Sequence, residues 1–271
     1  MKLGFVGGGM MGEAIIAALL NKGIARPGDI AACDVAPARR EHLMKTYGVR
    51  VSEDAAAASN GSEIVLMAVK PQEFPAAGRA VADGLNGKQT VMSIMAGVTM
   101  DSIRSTLKHD AVIRAIPNTP AQIGEGMTVW TATDAVSNEA RESVRSVLSV
   151  LGRELYVTDE KYVDMATAVS SSGPAYVYLV IEALIDAAVH IGLRRDMAVP
   201  MVLQTVLGSA RYAMETGKHP AELRNQVTSP GGTTTEGLLV LEEAGVRAAF
   251  IDAVEAAYEK AKELGGMASA H

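Results

Sequence analysis

The chain has 271 residues, 48% hydrophobic, 21% charged and only 4% aromatic, a globular composition whose core must be filled by Ala, Val, Leu, Ile and 14 Met. A net charge of −6 with no Lys/Arg cluster excludes an electrostatic nucleic-acid binder and makes a small molecule the expected partner. The single cysteine, Cys33, excludes an internal disulfide, and the opening MKLGFVGGGM lacks the apolar stretch of a secretory signal, so a cytoplasmic protein is expected.

In chain order, KLGFV, DIAAC, EIVLMAV, QTVMSIM, AVIRAI, MTVWTA and ELYV read as strands. They alternate with the helical segments MMGEAIIAALLNKG, APARREHLMKTYG, PQEFPAAGRAVADGL, TMDSIRSTL and SNEARESVRSVLSVLG. Such alternation implies an α/β fold, a doubly wound, mostly parallel sheet with helical crossovers. The strands are near-continuously apolar, as expected where both faces of a sheet are covered. From Glu160 onward only helical spacing is found, and one segment places Val246, Phe250, Val254, Ala257 and Ala261 on one face. Residues 1–159 are therefore expected to form the sheet domain and residues 160–271 an all-helical domain, with GGMASAH a loose tail. The apolar stretch AYVYLVIEALIDAAVHIGL is interrupted by Glu182 and Asp186 and reads as an internal helix, so no membrane span is expected.

Between the first strand and the first helix, Gly7, Gly9 and Gly12 have the G-x-G-x-x-G spacing, and Asp34 follows 22 residues after Gly12 at the end of the second strand. In that context the glycines point to a dinucleotide site. Gly7 permits the turn, Gly9 lets the backbone approach a pyrophosphate, Gly12 lets helix and strand pack closely, and the amides of Met10 and Met11 face the anion. A carboxylate at Asp34 suits the free ribose 2′-hydroxyl of NADH and repels the 2′-phosphate of NADPH. Arg39 and Arg40, at the start of the next helix, are either within reach of a 2′-phosphate or solvated surface arginines, so the expected cofactor is NADPH or NADH. Further loops follow strands at the edge where ligands gather. AVKPQ with Ala68, Val69, Lys70 and Pro71, MAGVT with Ala96 and Gly97, and IPNTPA with Asn118 are expected to floor the nicotinamide pocket.

The stretch LRNQVTSPGGTTTEGLLVLEE packs five hydroxyl residues around Pro230, Gly231 and Gly232 but contains no His, Cys or Lys. One reading is an ordinary helix entry, with Glu236 completing a capping box from Thr233.

The other reading comes from a resemblance. Through GFVGGGMMG, AVKPQ, SIMAGVT, IPNTPA, EGMT, VSSSGPAYVY and above all VTSPGGTTTEGL, nearly the whole chain resembles the pyrroline-5-carboxylate reductase family. The resemblance implies an N-terminal Rossmann domain and a C-terminal all-helical dimerisation domain. Two subunits interleave into a homodimer or larger homo-oligomer, and each active site draws on both chains. It also implies a reaction, reduction of 1-pyrroline-5-carboxylate to L-proline by NAD(P)H, the last step of proline biosynthesis. A cyclic imine can arrive already protonated, so its reduction needs positioning rather than a strong acid. By the same resemblance, Thr234 hydrogen-bonds the imine nitrogen. The Ser229 hydroxyl and the amides of Gly231, Gly232 and Thr233 bind the substrate carboxylate, Gln226 and Val227 line the ring pocket, and Glu160 approaches the substrate. Three positions depart from the family pattern: Asp34 for a smaller hydroxyl residue, Ala55 for an Asn near the cofactor, and Ser171 for a Gly. The five histidines are scattered, His190 reads as a packed helical residue, and no metal site is suggested. β-Hydroxyacid dehydrogenases share this layout but place a catalytic Lys in the helix after the interdomain glycine, where this chain reads SSSGPAYVYLVIEAL. A dinucleotide-binding sensor without turnover is disfavoured by the intact TSPGGTT.

Overall fold

A computed structural model describes residues 1–269. Eight strands form one sheet: β1 (Leu3–Val6), β2 (Ile30–Cys33), β3 (Arg50–Ser52), β4 (Ile64–Met67), β5 (Thr90–Ser93), β6 (Val112–Ile116), β7 (Gly126–Ala132) and β8 (Gly152–Tyr156). Their spatial order is β3-β2-β1-β4-β5-β6-β7-β8, reversing direction of growth at β1, which is the topology of a Rossmann sheet. All neighbours are parallel except β6 and β7. The connection between that pair, residues 117–125, is too short for a helical crossover, so the chain turns back antiparallel.

Helices α1 (Met10–Asn21), α2 (Pro37–Tyr47), α3 (Ala55–Ser59), α4 (Phe74–Ala82), α5 (Met100–Leu107) and α6 (Asn138–Ser149) cover the sheet. Alternate strand residues serve opposite faces. Leu3, Phe5, Ile30, Ala32, Ile64 and Leu66 pack with Ile15, Ile16 and Leu19 of α1 and Val144, Val147 and Leu148 of α6. Val6, Ala31, Cys33, Val65 and Met67 pack with Phe74 and Val81 of α4 and Ile103 and Leu107 of α5. Each fully buried aliphatic side chain here contributes about 1.5–3 kcal/mol. Every predicted strand is present. The additional β3 has only three residues and no apolar run, so nothing in its composition announces it.

Past the sheet come α7 (Lys161–Ala166), a π-helical turn (Thr167–Ser171), α8 (Gly173–His190), α9 (Arg195–Thr216), α10 (Pro220–Gln226), α11 (Thr233–Glu243) and α12 (Val246–Ser269). The chain divides into two compact units, one comprising Met1–Ser172 together with the residues from Ala256 on, the other Gly173–Glu255. The break in packing follows Ser172, because α7 is bound to the sheet: Val163 is buried against Ile116 and Val129. The expected loose tail is corrected. α12 continues through Ser269, seated by a buried Ala261 and by Leu264 against Gly97, while Ala270 and His271 lie outside the described residues.

Within the second unit only Ile185 and Ala198 are buried hydrophobics. Tyr178, Leu179, Ile191, Met201, Tyr212, Met214, Val240 and Ile251 are each more than half exposed. His190, expected to be packed, is exposed too. An apolar surface of this extent marks an interaction face.

Candidate active site

The glycine turn sits at the carboxyl edge of β1. Gly7 has φ +104°, and a Cβ there would lie 2.6 Å from the Ala68 carbonyl oxygen. A Cβ at Gly12 would lie 2.5 Å from the Gly7 oxygen, whereas one at Gly9 would meet nothing within 4 Å. Two glycines are thus required by packing, and the middle one faces open space. Gly9 caps α1 without any side-chain bond, so the Met10 and Met11 amides remain available to an anion. Beside the turn lies a cavity of ≈ 660 Å³ lined by Gly7, Gly9, Asp34, Ala68, Val69 and Lys70, among others. These features fit a dinucleotide: bare amides for its pyrophosphate, open space above Gly9 and a carboxylate for its ribose. A larger cavity of ≈ 990 Å³ around Arg79, Asp83 and Lys108 includes none of the predicted site residues.

Asp34 is fixed by two amides, Gly8 N donating to Oδ2 and Ala36 N to Oδ1, each at 2.9 Å. Neither nearby arginine is a free surface cation. Arg39 Nε donates to the Gly8 carbonyl at 2.9 Å and its Nη2 pairs with Glu13 at 2.5 Å. Arg40 Nη1 donates to the carbonyls of Asp34 and Val35 at 2.8 and 3.1 Å, and its Nη2 pairs with Glu53 at 3.3 Å. Glu13 also receives His42 and the Tyr47 hydroxyl. Burial alone would raise its carboxyl, but these hydrogen bonds, with Arg39 first, prevail and hold it at about 2. Cys33, in the strand just before, behaves as a buried apolar group: burial, then the Asp34 and Asp54 charges, raise its thiol to about 11.

Along the same edge, Lys70 precedes a short turn begun by Pro71, and Ala55 opens α3 and lines the cavity. Gly97, at φ +75°, is covered by Leu264 and Gly265 of α12 rather than open to a ligand. Asn118 is occupied at both ends: Oδ1 accepts from Met127 N at 2.9 Å and Nδ2 donates to Ser170 O at 3.2 Å. That carbonyl belongs to the π turn, where Ser172 N reaches back to Thr167 O and where Ser171 also lies. Glu160 is tied into an ion-pair cluster. Its Oε1 accepts from Met100 N at 2.8 Å and Arg114 Nη1 at 2.7 Å, while Arg114 Nη2 meets Asp164 at 2.5 Å. Arg114 is 1% exposed, in the middle of β6. The cluster pins the start of α5, directly after the MAGVT loop, to the sheet. Sequence reading did not single out Arg114 or Asp164, although an arginine inside a buried strand needs a carboxylate.

In the second unit α11 begins at Thr233, capped by Gly232 with no side-chain bond. The capping box from Thr233 to Glu236 does not form. Gly231 takes φ +67°, Gly232 N closes the turn onto Ser229 O at 3.0 Å, and Thr235 Oγ1 donates to the same oxygen at 2.7 Å. The Gly232 amide is therefore spent inside the turn, unlike those of Gly231, Thr233 and Thr234, which bond to no other backbone group. Among the described residues nothing in the chain is bonded to the hydroxyls of Ser229, Thr233 or Thr234. Gln226 and Val227, at the end of α10, are exposed beside this turn. Sequence reading named the Thr234 hydroxyl but missed its amide, which, in the first turn of α11, has no partner in the helix.

The family described as "Pyrroline-5-carboxylate reductase dimerisation" matches residues 160–264, and "NADP oxidoreductase coenzyme F420-dependent" matches residues 2–97. The first of these covers the whole exposed apolar unit. A pyrroline-5-carboxylate reductase from Synechocystis sp. is 46% identical over 265 residues, 98% of either chain. One from Escherichia coli is 40% identical over 264 residues, 97% of this chain and 98% of that one. Among solved structures, Plasmodium falciparum pyrroline carboxylate reductase with NADP bound superposes with a TM-score of 0.90 at 30% identity, covering 98% of both chains.

Proposed function

This chain belongs to the pyrroline-5-carboxylate reductase family, and from that premise we propose how its own residues divide the reduction of 1-pyrroline-5-carboxylate to L-proline. The enzyme uses NAD(P)H, which supplies the hydride when bound. Gly7, Gly9 and Gly12 shape the turn, and the Met10 and Met11 amides hold the pyrophosphate. Asp34 holds the adenosine ribose. Ala68, Val69, Lys70 and Pro71 wall the cofactor cleft, with Ala96, Gly97 and Asn118 fixing the loops behind the nicotinamide.

The observation that carries the assignment of the substrate end is the glycine-capped start of α11, with three free hydroxyls and three free amides. A helix N-terminus of this kind favours a carboxylate. The amides of Gly231, Thr233 and Thr234 and the Ser229 hydroxyl bind the substrate carboxylate, with Gly232 holding the turn closed. Gln226 and Val227 flank the ring. Thr234 Oγ1 meets the imine nitrogen. Because that nitrogen is already protonated, a neutral hydroxyl serves where ketone reductases require a stronger acid. Glu160, with Arg114, positions the start of α5; its second oxygen is left for the substrate.

The oligomer we propose is a cytoplasmic homodimer or a larger assembly of dimers, closed through the apolar helices of residues 160–271, with residues 1–159 as the dinucleotide domain. No nucleic acid or membrane takes part. A sedimentation experiment returning a monomer at micromolar concentration would overturn it.

The test of the chemistry is NADH and NADPH oxidation followed by absorbance with 1-pyrroline-5-carboxylate. Wild type turns over, and Thr234→Ala loses about 100-fold in kcat with dinucleotide affinity kept. A variant running at the wild-type rate removes Thr234 from the mechanism.

A further inference from the structure

The cavity beside the glycine turn is strongly acidic. Asp34, Glu53, Asp54 and Glu73 line it, and Lys70 is the one cation in its lining. Asp34 stands at the end of β2, where the adenosine ribose lies in sheets of this topology. Its two oxygens hold the Gly8 and Ala36 amides at 2.9 Å, so the carboxylate cannot swing away, yet each oxygen keeps a lone pair for a further donor.

The two arginines that could offset this charge are engaged elsewhere. Arg39 is drawn back onto the Gly8 carbonyl and Glu13, and Arg40 onto two carbonyls and Glu53; neither lines the cavity. Arg40 has both Nη1 protons on those carbonyls and one Nη2 proton on Glu53, which turns most of its donors away from a 2′-phosphate.

Resting on the dinucleotide site of the proposed function, we propose that Asp34 makes this chain selective for NADH over NADPH, its fixed carboxylate accepting from the free 2′-hydroxyl and repelling a 2′-phosphate. The relative from Plasmodium falciparum binds NADP.

Equilibrium titration of the wild-type protein with NADH and NADPH, without imine, tests this directly. Because no turnover is needed, failure of the proposed reaction and failure of the proposed selectivity are separable. The expected result is NADH bound on the order of 10- to 100-fold tighter at low salt, the ratio shrinking as ionic strength rises. In Asp34→Ser the ratio falls toward one, mainly through tighter NADPH binding, and Asp34→Asn, which keeps the side-chain shape, moves it the same way. Adding Glu53→Gln, which releases Arg40 Nη2, shifts the ratio further toward NADPH. Equal wild-type affinities, or tighter NADPH, overturn the proposal even if no variant folds; so does a ratio that neither Asp34 variant changes.

Discussion

Two helices of this chain begin at a glycine that no side chain caps, α1 at Gly9 and α11 at Gly232. Both turns present bare amides to an anion, but they are shaped by different forces. In the first, the glycines press on backbone: a Cβ at Gly7 would meet Ala68 and one at Gly12 would meet Gly7 itself. Between them Gly8 is gripped from both sides, its amide by Asp34 and its carbonyl by Arg39. In the second, a Cβ at Gly231 would meet nothing within 4 Å, and the close contact at Gly232 is with Ser229 of the same turn. The first turn is finished by its own unit and, in the proposed reading, takes the invariant half of the reaction, the cofactor. The second is held only by itself, and in the proposed reading its unpartnered hydroxyls meet the substrate.

The sharpest way to break that contrast is to add one methyl to each turn. Gly12→Ala forces the Gly7 carbonyl out of place, an overpacking cost of about 2–3 kcal/mol, and dinucleotide affinity falls roughly 100-fold. Titration with NADH measures it, and unchanged affinity would show that the first turn is not sterically fixed. Gly231→Ala meets no clash and pays only for its left-handed backbone, about 1–2 kcal/mol. Turnover drops about tenfold while NADH affinity stays at the wild-type value. A loss of cofactor binding in this second variant would erase the distinction between the turns.

How much of this was readable from the chain follows the same division. The sheet announced itself because β1, β2 and β4 are buried on both faces, so no polar side chain interrupts them. Gly7 and Gly12 of the first turn were legible because the fold requires them sterically. What side chains do across the fold was not. Nothing local says that Arg39 and Arg40 turn back onto carbonyls, since their partners Gly8, Glu13 and Glu53 come from other elements. Arg114 could have been found: an arginine inside AVIRAI, with Glu160 and Asp164 one helical turn apart, has the spacing of a forked ion pair. In the second turn the motif identified the family, but Thr233 reads as a cap by composition, and only the geometry shows Gly232 in that place.

A subtler cut removes a hydroxyl and leaves both backbones alone. Ser229 Oγ bonds to nothing in the chain among the described residues, so Ser229→Ala leaves stability within about 0.5 kcal/mol. Losing one hydrogen bond to a charged carboxylate raises KM for the imine about tenfold, with kcat less affected. Chemical denaturation and steady-state kinetics together check it; destabilisation without a change in KM would make Ser229 part of the scaffold.

The smallest expected effect acts on the first turn through pH. Glu13 clamps Arg39 against Gly8, and its folded carboxyl lies at about 2, below the ordinary 4.5. A carboxyl lowered by folding stabilises the native state above its unfolded value and loses that contribution as pH falls toward the folded one. The stability gap between wild type and Glu13→Gln is therefore full at pH 7, about 1 kcal/mol for so partly exposed a cluster. It closes between pH 4.5 and about 2. Unfolding midpoints measured across that range read it out, alongside NADH affinity at pH 7. A gap that stays constant to the acid end would mean Glu13 shapes the turn by size and not by charge, and an NADH affinity insensitive to the substitution would mean that Gly8 needs no clamp on its carbonyl.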